Sequence, residues 1–343
     1  MARRPGMAAL ATAAGVSVAT VDRLLNGREG VRADTAAAVV AAAQRLGHPA
    51  LARLAPTVAG DAPALRLGVV LHKKGQAFYR AFAQAMLDAA AVLPGHRVSV
   101  IVEFATSQSP IEMAGLLRGM IGRCDVLAAT AVNHPDILGA VTDVQGAGVP
   151  VFSLLSDFAQ KARVGYVGMD NHKIGRVAGW AVGLAALMPG RVAVFVGGAR
   201  WHGHDQRDAG LRACLAERAP HLQMMETVIN LETRQLTHDA MVALLARTPD
   251  LRGIYVAGGG MEGAISALSA HRKPGEIALI VNELTPESRS GLQSGYVTMA
   301  IATPLGALTR ALVTQMAQCA FAPGMAQRPP IMLPPDLYIQ ESI

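Results

Sequence analysis

The stretch AALATAAGVSVATVDRLLN, residues 8–26, decides how the N-terminus is read. Apolar residues recur at helical spacing on both sides of Gly15, and Gly15 offers the left-handed turn that ends a first helix. Ser17 is placed to accept a hydrogen bond from the free amides that begin a second. Ala11 and Gly15 are small where two short helices must cross closely. The pattern predicts helices over residues 7–13 and 17–25, and a third over 33–46 that Asp34 or Thr35 can begin. Leu10, Val16, Val21, Leu24, Leu25, Val39, Val40 and Leu46 suffice for one small core. Helix, glycine turn and a second helix with Ser17, Thr20, Arg23 and Asn26 outward is the layout of a DNA-binding helix-turn-helix. An ordinary helical hairpin shares that periodicity.

Charge placement separates the two. Residues 1–60 hold seven basic residues against three acidic ones, which is four of the chain's six net positive charges. Such a bias marks a module that meets a polyanion. The composition then turns to Pro, Ala and Gly over 48–64, with Pro49, Pro56, Gly60 and Pro63, which reads as a linker.

From Leu65 onward short β-branched runs alternate with longer helical segments. The expected buried strands are 65–71, 96–104, 125–129, 149–155, 191–198, 251–259 and 276–282. Strand and helix in alternation, with Gly or Pro between them, predict an α/β fold with parallel sheets covered on both faces. This part is longer than one doubly wound domain, so two lobes are expected.

Of 343 residues, 51% are hydrophobic and 16% charged, which excludes intrinsic disorder. Cys124, Cys214 and Cys319 are too few and too dispersed for a disulfide framework or a zinc site, as in a reducing compartment. The basic start followed by only seven apolar residues does not read as a signal peptide. The apolar stretches 177–188 and 311–325 fall short of the ~20 residues that span a bilayer. A cytoplasmic protein with no membrane partner is expected.

The segments AGVSVATVDRLLNG and VRADTAAAVVAAAQRLGH resemble the N-terminal domain of the LacI family of transcriptional regulators. The resemblance continues to the end of the chain. LGVVLHKKGQAFYRAFAQAM, GYVGMDNHKIGRVAG and WHGHDQRDAGLRACL resemble, in order, pieces of that family's effector-binding core, itself similar to periplasmic sugar-binding proteins. This implies a helix-turn-helix domain over 1–47, a hinge or linker over 48–64, and a two-lobed core of parallel sheets over 65–343 that binds effector and dimerises.

The resemblance also implies roles. Val18, Ala19 and Arg23 fall where the family reads base edges in the major groove, and Ser17, Thr20, Asn26 and Thr35 at phosphate-contacting or capping positions. Arg23 carries most weight, because a guanidinium can bond guanine O6 and N7 together. Asp22 departs from the family's usual Ser; a carboxylate cannot donate to phosphate and is free to pair with Arg23 or another side chain. LGHPALARLAP is shorter than the family's linker helix, so Leu54 stands either as a minor-groove wedge or in a plain tether.

In the core, Phe78 and Tyr79 stand where the family stacks aromatic rings on a pyranose, with packing as the alternative. Asp157, Arg207, Asn282 and Glu283, at strand ends or helix starts, would bond hydroxyls, with capping or ion pairing as the alternative. Ala302 and Gly259 replace amides found in many sugar-binding relatives, which leaves the usual hydroxyl network incomplete.

Three other motifs point elsewhere. Gly258 to Gly263 fits G-x-G-x-x-G, with Glu283 twenty residues on, as in dinucleotide-binding folds. It lies late in a chain whose alternating units begin almost two hundred residues earlier. His202, His204 and Asp205 lack the further ligands a metal site needs. No Gly-x-Ser-x-Gly elbow supplies a nucleophile. The expectation is therefore no enzyme, no cofactor and no metal. It is a homodimeric DNA-binding regulator, with repression as its expected action, on a pseudo-palindromic operator and under a sugar or polyol effector. A transporter's solute receptor, a dinucleotide-binding enzyme and a core that has lost its ligand are the alternatives.

Overall fold

The computed structural model describes residues 6–28, 30–46, 48–51, 53–54, 64–198, 200–321 and 326–343. Most of the expected linker, and with it Pro56, Gly60 and Pro63, therefore lies outside the described residues.

The N-terminal unit consists of α1 (Met7–Ala14), α2 (Val18–Leu25) and α3 (Ala33–Leu46). Gly15 at φ 67° closes α1, and the Ser17 hydroxyl caps α2 by accepting from the Thr20 amide at 3.2 Å. This tight turn sets α1 and α2 at 108°, within the range of helix-turn-helix pairs. Leu10, Val21, Leu24, Val39 and Val40 are buried together. Val16 and Leu25 are half-buried, and Leu46 is exposed, contrary to its expected place in the core. Two long-range bonds tie the unit: Arg45 Nη2 donates to Ala13 O and Arg53 Nη2 to Leu25 O, both at 2.9 Å.

The first lobe begins with β1 (Ala64–His72), α4 (Ala77–Ala91), β2 (Arg97–Ala105), α5 (Pro110–Arg118), β3 (Val126–Ala129), α6 (Pro135–Gly146), β4 (Val151–Leu154) and β5 (Gly165–Met169). The chain then crosses into the second lobe. There it forms α7 (Asn171–Ala185), β6 (Gly190–Val196), α8 (His202–Arg218), β7 (Leu222–Met224), β8 (Val228–Ile229), α9 (Arg234–Arg247), β9 (Leu251–Val256), α10 (Met261–His271), β10 (Ala278–Asn282), α11 (Pro286–Gln293) and β11 (Met299–Ala302). It returns for α12 (Leu305–Ala320) and β12 (Ile331–Leu333), and crosses a third time to β13 (Asp336–Tyr338).

The sheet orders are β12-β5-β4-β3-β1-β2 and β13-β11-β10-β9-β6-β7, with β8 also on β6. All pairs are parallel except β11 with β13. Central strands are almost wholly apolar because both faces are covered: β3, β4 and β11 are buried throughout, with Ser153 on β4 the one polar side chain among them. Val69 on β1, flanked by Val102 and Ala128, lies in the middle of the first sheet. All seven expected strands exist within about two residues of their boundaries, apart from the longer 251–259. The sequence pattern missed β5, β11 and the short edge strands β7, β8, β12 and β13.

Strand carboxyl ends of both sheets meet at the three crossings, which places a crevice there. Among the described residues no single helix is long and apolar enough to cross a membrane.

Candidate functional site

The crevice holds about 820 Å³ of empty space, including the part open to solvent. From the first lobe it is lined by Phe78 and Tyr79 at the start of α4 and by Thr130 after β3. From the second it is lined by Trp201 just before α8, Arg207 on α8, Glu232, Glu262, and Asn282 and Glu283 at the end of β10. Five of the six residues expected to contact a ligand thus converge from three separate segments.

Asp157 does not join them. Its carboxylate is held by Arg163, with Nη2 to Oδ2 at 2.7 Å, and by the Ser153 hydroxyl at 2.6 Å. Arg163 and Asp157 are both largely buried. A carboxylate already receiving a two-pronged guanidinium and a hydroxyl is a structural anchor under the cleft wall and has little left to offer a ligand.

The two lobes touch directly. Lys73 Nζ donates to Leu231 O at 3.0 Å, Gln76 Nε2 to Glu232 O at 3.3 Å, and Gln108 Nε2 to Glu232 Oε2 at 3.0 Å. The Gly203 amide returns a bond to Ser156 Oγ at 2.9 Å. Glu232 is therefore a second-lobe carboxylate that the first lobe grips. Burial pushes it up, yet His204 and Lys73 outweigh that and leave it below the usual range.

Arg207, only 8% exposed, lies under the cleft. Its Nε donates to Asn171 Oδ1 at 2.8 Å and its Nη1 to Ala257 O at 2.7 Å. These bonds fix the guanidinium plane. His204, one turn earlier, accepts from the Gly197 amide through Nδ1 at 3.1 Å. Burial, opposed by Glu232 and reinforced by Arg207, pushes its imidazole down to about 4, so it is neutral at pH 7. The Glu283 carboxylate accepts the Thr303 amide at 2.9 Å and the Thr303 hydroxyl at 2.6 Å, and burial raises its pKa.

The glycines 258–260 earn their place by size. A Cβ at Gly258 would lie 2.6 Å from His204 Cε1, and one at Gly259 would lie 3.0 Å from Glu232 Cβ. The Gly259 amide donates to Glu232 Oε1 at 3.2 Å. A loop whose amide already faces a carboxylate repels a pyrophosphate, so its physical role here is to seat His204 and Glu232. Among the described residues no group of three His, Cys, Asp or Glu side chains could hold a metal ion.

In the N-terminal unit, Val18, Ala19 and Arg23 are exposed on α2. The Arg23 guanidinium makes no hydrogen bond or ion pair among the described residues. Ser17 bonds Thr20 through both hydroxyls at 2.9 Å, and Thr35 is half-buried near the start of α3. Asp22 is taken by Asn26, whose Nδ2 donates to Oδ1 at 2.9 Å, rather than by Arg23. That bond occupies one amide proton of Asn26 and turns this carboxylate oxygen of Asp22 away from Arg23. Leu54 is fully buried with the helical core. As a wedge it would first have to leave that core.

Glu232, Trp201 and Glu262 were not singled out from the sequence, and His204 was considered there only as a metal ligand. Trp201 had a signal, being one of two tryptophans and standing at the head of α8. Glu232 had none: it sits in an irregular turn where Leu231 and Glu232 both take positive φ, 49° and 55°.

A helix-turn-helix unit followed by a clefted two-lobed α/β core defines the class. Residues 7–49 match the family of bacterial regulatory proteins of the lacI type, and residues 67–322 match the periplasmic binding protein domain. The chain belongs to the periplasmic binding protein domain family over most of its length, in combination with the lacI-type N-terminal domain. Over 167 residues it is 30% identical to the HTH-type transcriptional regulator reg1 of Streptomyces lividans, covering 48% of this chain and 46% of that protein. The match thus spans just under half the length of that relative. Among solved structures, an ABC transporter solute binding protein from Agrobacterium vitis bound with alpha-D-tagatopyranose superposes with a TM-score of 0.74 at 19% identity, covering 81% of this chain and 95% of that one. One from Actinobacillus succinogenes with bound D-allose gives 0.73 at 18%, covering 81% and 98%. One from Bacillus halodurans with bound myo-inositol gives 0.71 at 19%, covering 82% and 96%. At these identities the likeness is one of fold.

Proposed function

We propose that the protein is a DNA-binding transcriptional regulator, a repressor of the LacI type. In this reading it binds a pseudo-palindromic operator as a homodimer and responds to a sugar or polyol held in the interlobe cleft. Residues 1–47 bind DNA, 48–64 connect, and 65–343 bind effector and dimerise. The observation that carries this reading is the exposed face of α2, where Arg23, unpaired among the described residues, stands beside Val18 and Ala19 on a helix crossed by its neighbour at 108°. A transporter's solute receptor has no use for that unit.

One such module contacts one half-site, so tight and selective binding needs two, about one helical turn of DNA apart. The core supplies the pairing. A ligand that favours one lobe arrangement changes how the two modules are presented, and a coupling of ~1–3 kcal/mol alters operator affinity roughly 5- to 150-fold.

Arg23→Ala tests the assignment. Loss of a two-pronged contact to guanine is worth ~1–3 kcal/mol of discrimination. The variant should therefore lose roughly 5- to 150-fold in affinity for a selected operator in a fluorescence titration. It should lose far less on random duplex. Equal losses on both would remove Arg23 from base reading.

A further inference from the structure

We infer that the cleft selects its ligand by charge: it takes a compact polyhydroxylated molecule carrying a protonated amine, an amino sugar or amino polyol, ahead of the neutral parent, and turns away sugar phosphates and sugar acids. The inference rests on the effector-cleft reading above.

Three carboxyl groups, Glu232, Glu262 and Glu283, line the cleft against one cation, Arg207. Glu232 and Glu262 alone already outnumber that cation among the cleft-lining side chains. Arg207 is a poor anion site, because Nε and Nη1 are turned to Asn171 and Ala257. Lys73 is spent on the Leu231 carbonyl and lies 3.9 Å from Glu232. His204 is neutral, as shown above. A phosphate or carboxylate entering this space meets like charge in a partly desolvated site, where such juxtaposition is costly.

One buried acceptor in the cleft wall adds an independent observation. Asn282, 2% exposed, lines the cleft with Oδ1 lacking a well-formed hydrogen bond, although the Tyr255 hydroxyl lies near it. Thr130 Oγ1, on the opposite wall beside the Tyr79 hydroxyl, is a hydroxyl that can donate as well as accept. Buried acceptors without a well-formed bond are rare in folded proteins, and a donor on the ligand would satisfy this one. The Glu262 carboxylate, at the start of α10, makes no hydrogen bond or ion pair among the described residues. An ammonium brings three donors and no acceptor, which matches this surplus of acceptors. The half-buried Phe78 ring supplies an apolar face for the ring of the same ligand.

The test uses the purified full-length protein, with thermal shift and calorimetric titration at pH 7. The probes are glucose, glucosamine, glucose 6-phosphate and glucuronate, with the matching galactose set. At least one amine should bind about tenfold or more tighter than its neutral parent, the worth of one charge-assisted hydrogen bond. The anions should bind weakest, and Glu262→Gln should narrow the gap between amine and parent. Equal binding of amine and parent, or an anion that matches either, would overturn the inference and leave the effector-cleft reading standing. Binding by no member of the panel would sink both.

Discussion

Arg207→Ala is expected to lower the melting temperature of the core and abolish its response to ligand, while leaving the N-terminal unit able to bind DNA. The guanidinium ties α7, through Asn171, to the end of β9, through Ala257. Truncation leaves a buried amide oxygen and a buried carbonyl without donors. Losing hydrogen bonds from a charged donor and stranding their acceptors costs about 3 kcal/mol. At roughly 2–4 °C per kcal/mol for a domain of this size, the fall should be about 6–12 °C. Arg207→Lys should recover little, because an ammonium lacks the planar fork that reaches both partners. Thermal unfolding with and without ligand checks both halves. A melting temperature within about 2 °C of the parent, well inside that scale, would show that the guanidinium does not hold the cleft floor. A retained ligand shift would remove Arg207 from the binding site.

Gly175→Ala should be as damaging for a different reason. Helices α7 and α8 approach each other backbone to backbone. A Cβ on Gly175 would overlap the Arg207 carbonyl oxygen, and one on Gly210 would overlap that of His172. One turn further along, a Cβ on Gly179 would lie 2.9 Å from Cys214 Cβ, and the next, on Gly183, 3.2 Å from Ala219 Cβ. The spacing of 175, 179 and 183 keeps one face of α7 bare. A methyl at the tightest point must force the helices apart, and overpacking of that severity costs about 3 kcal/mol or more. The urea midpoint should fall accordingly. Gly115→Ala is the contrasting variant: nothing lies within 4 Å of its Cβ on α5. It should gain about 0.5–1 kcal/mol from reduced chain entropy. If Gly175→Ala were neutral, the close crossing of α7 and α8 would be wrong. Because Gly175 abuts Arg207, the two damaging changes should not add.

The N-terminal unit was legible because each boundary has a local cause. Gly15 needs its positive φ, Ser17 its cap, and the apolar spacing its buried face. Strands such as RVAVFV were legible because burial on both faces writes a continuous apolar run. GYVGM, which forms β5, and MAIA, which forms β11, were not. The first is interrupted by glycines that make room for neighbouring rings: a Cβ at Gly165 would lie 2.7 Å from Phe152 Cε1. The second has little β-branching. Each becomes a strand through its neighbours in the sheet.

The cleft was legible only in part. Phe78, Tyr79, Arg207, Asn282 and Glu283 sit at the starts of helices or ends of strands, where open sheets leave space. Asp157 occupies a similar place, but Arg163 six residues on satisfies it, and nothing in the spacing says which way either side chain turns. Glu232 is brought to the cleft by a turn with no regular pattern. Leu54 shows a similar ambiguity, since the same apolar side chain serves a wedge or a core and only its surroundings decide.

The most direct measurement is selection of genomic DNA fragments by the intact purified protein, sequenced with and without candidate sugars, polyols and their amines. The account predicts enrichment of a small set of fragments that share two inverted half-sites, with occupancy that changes when the right small molecule is added. Recovery of bulk duplex with no preferred fragment under any of these conditions would contradict it.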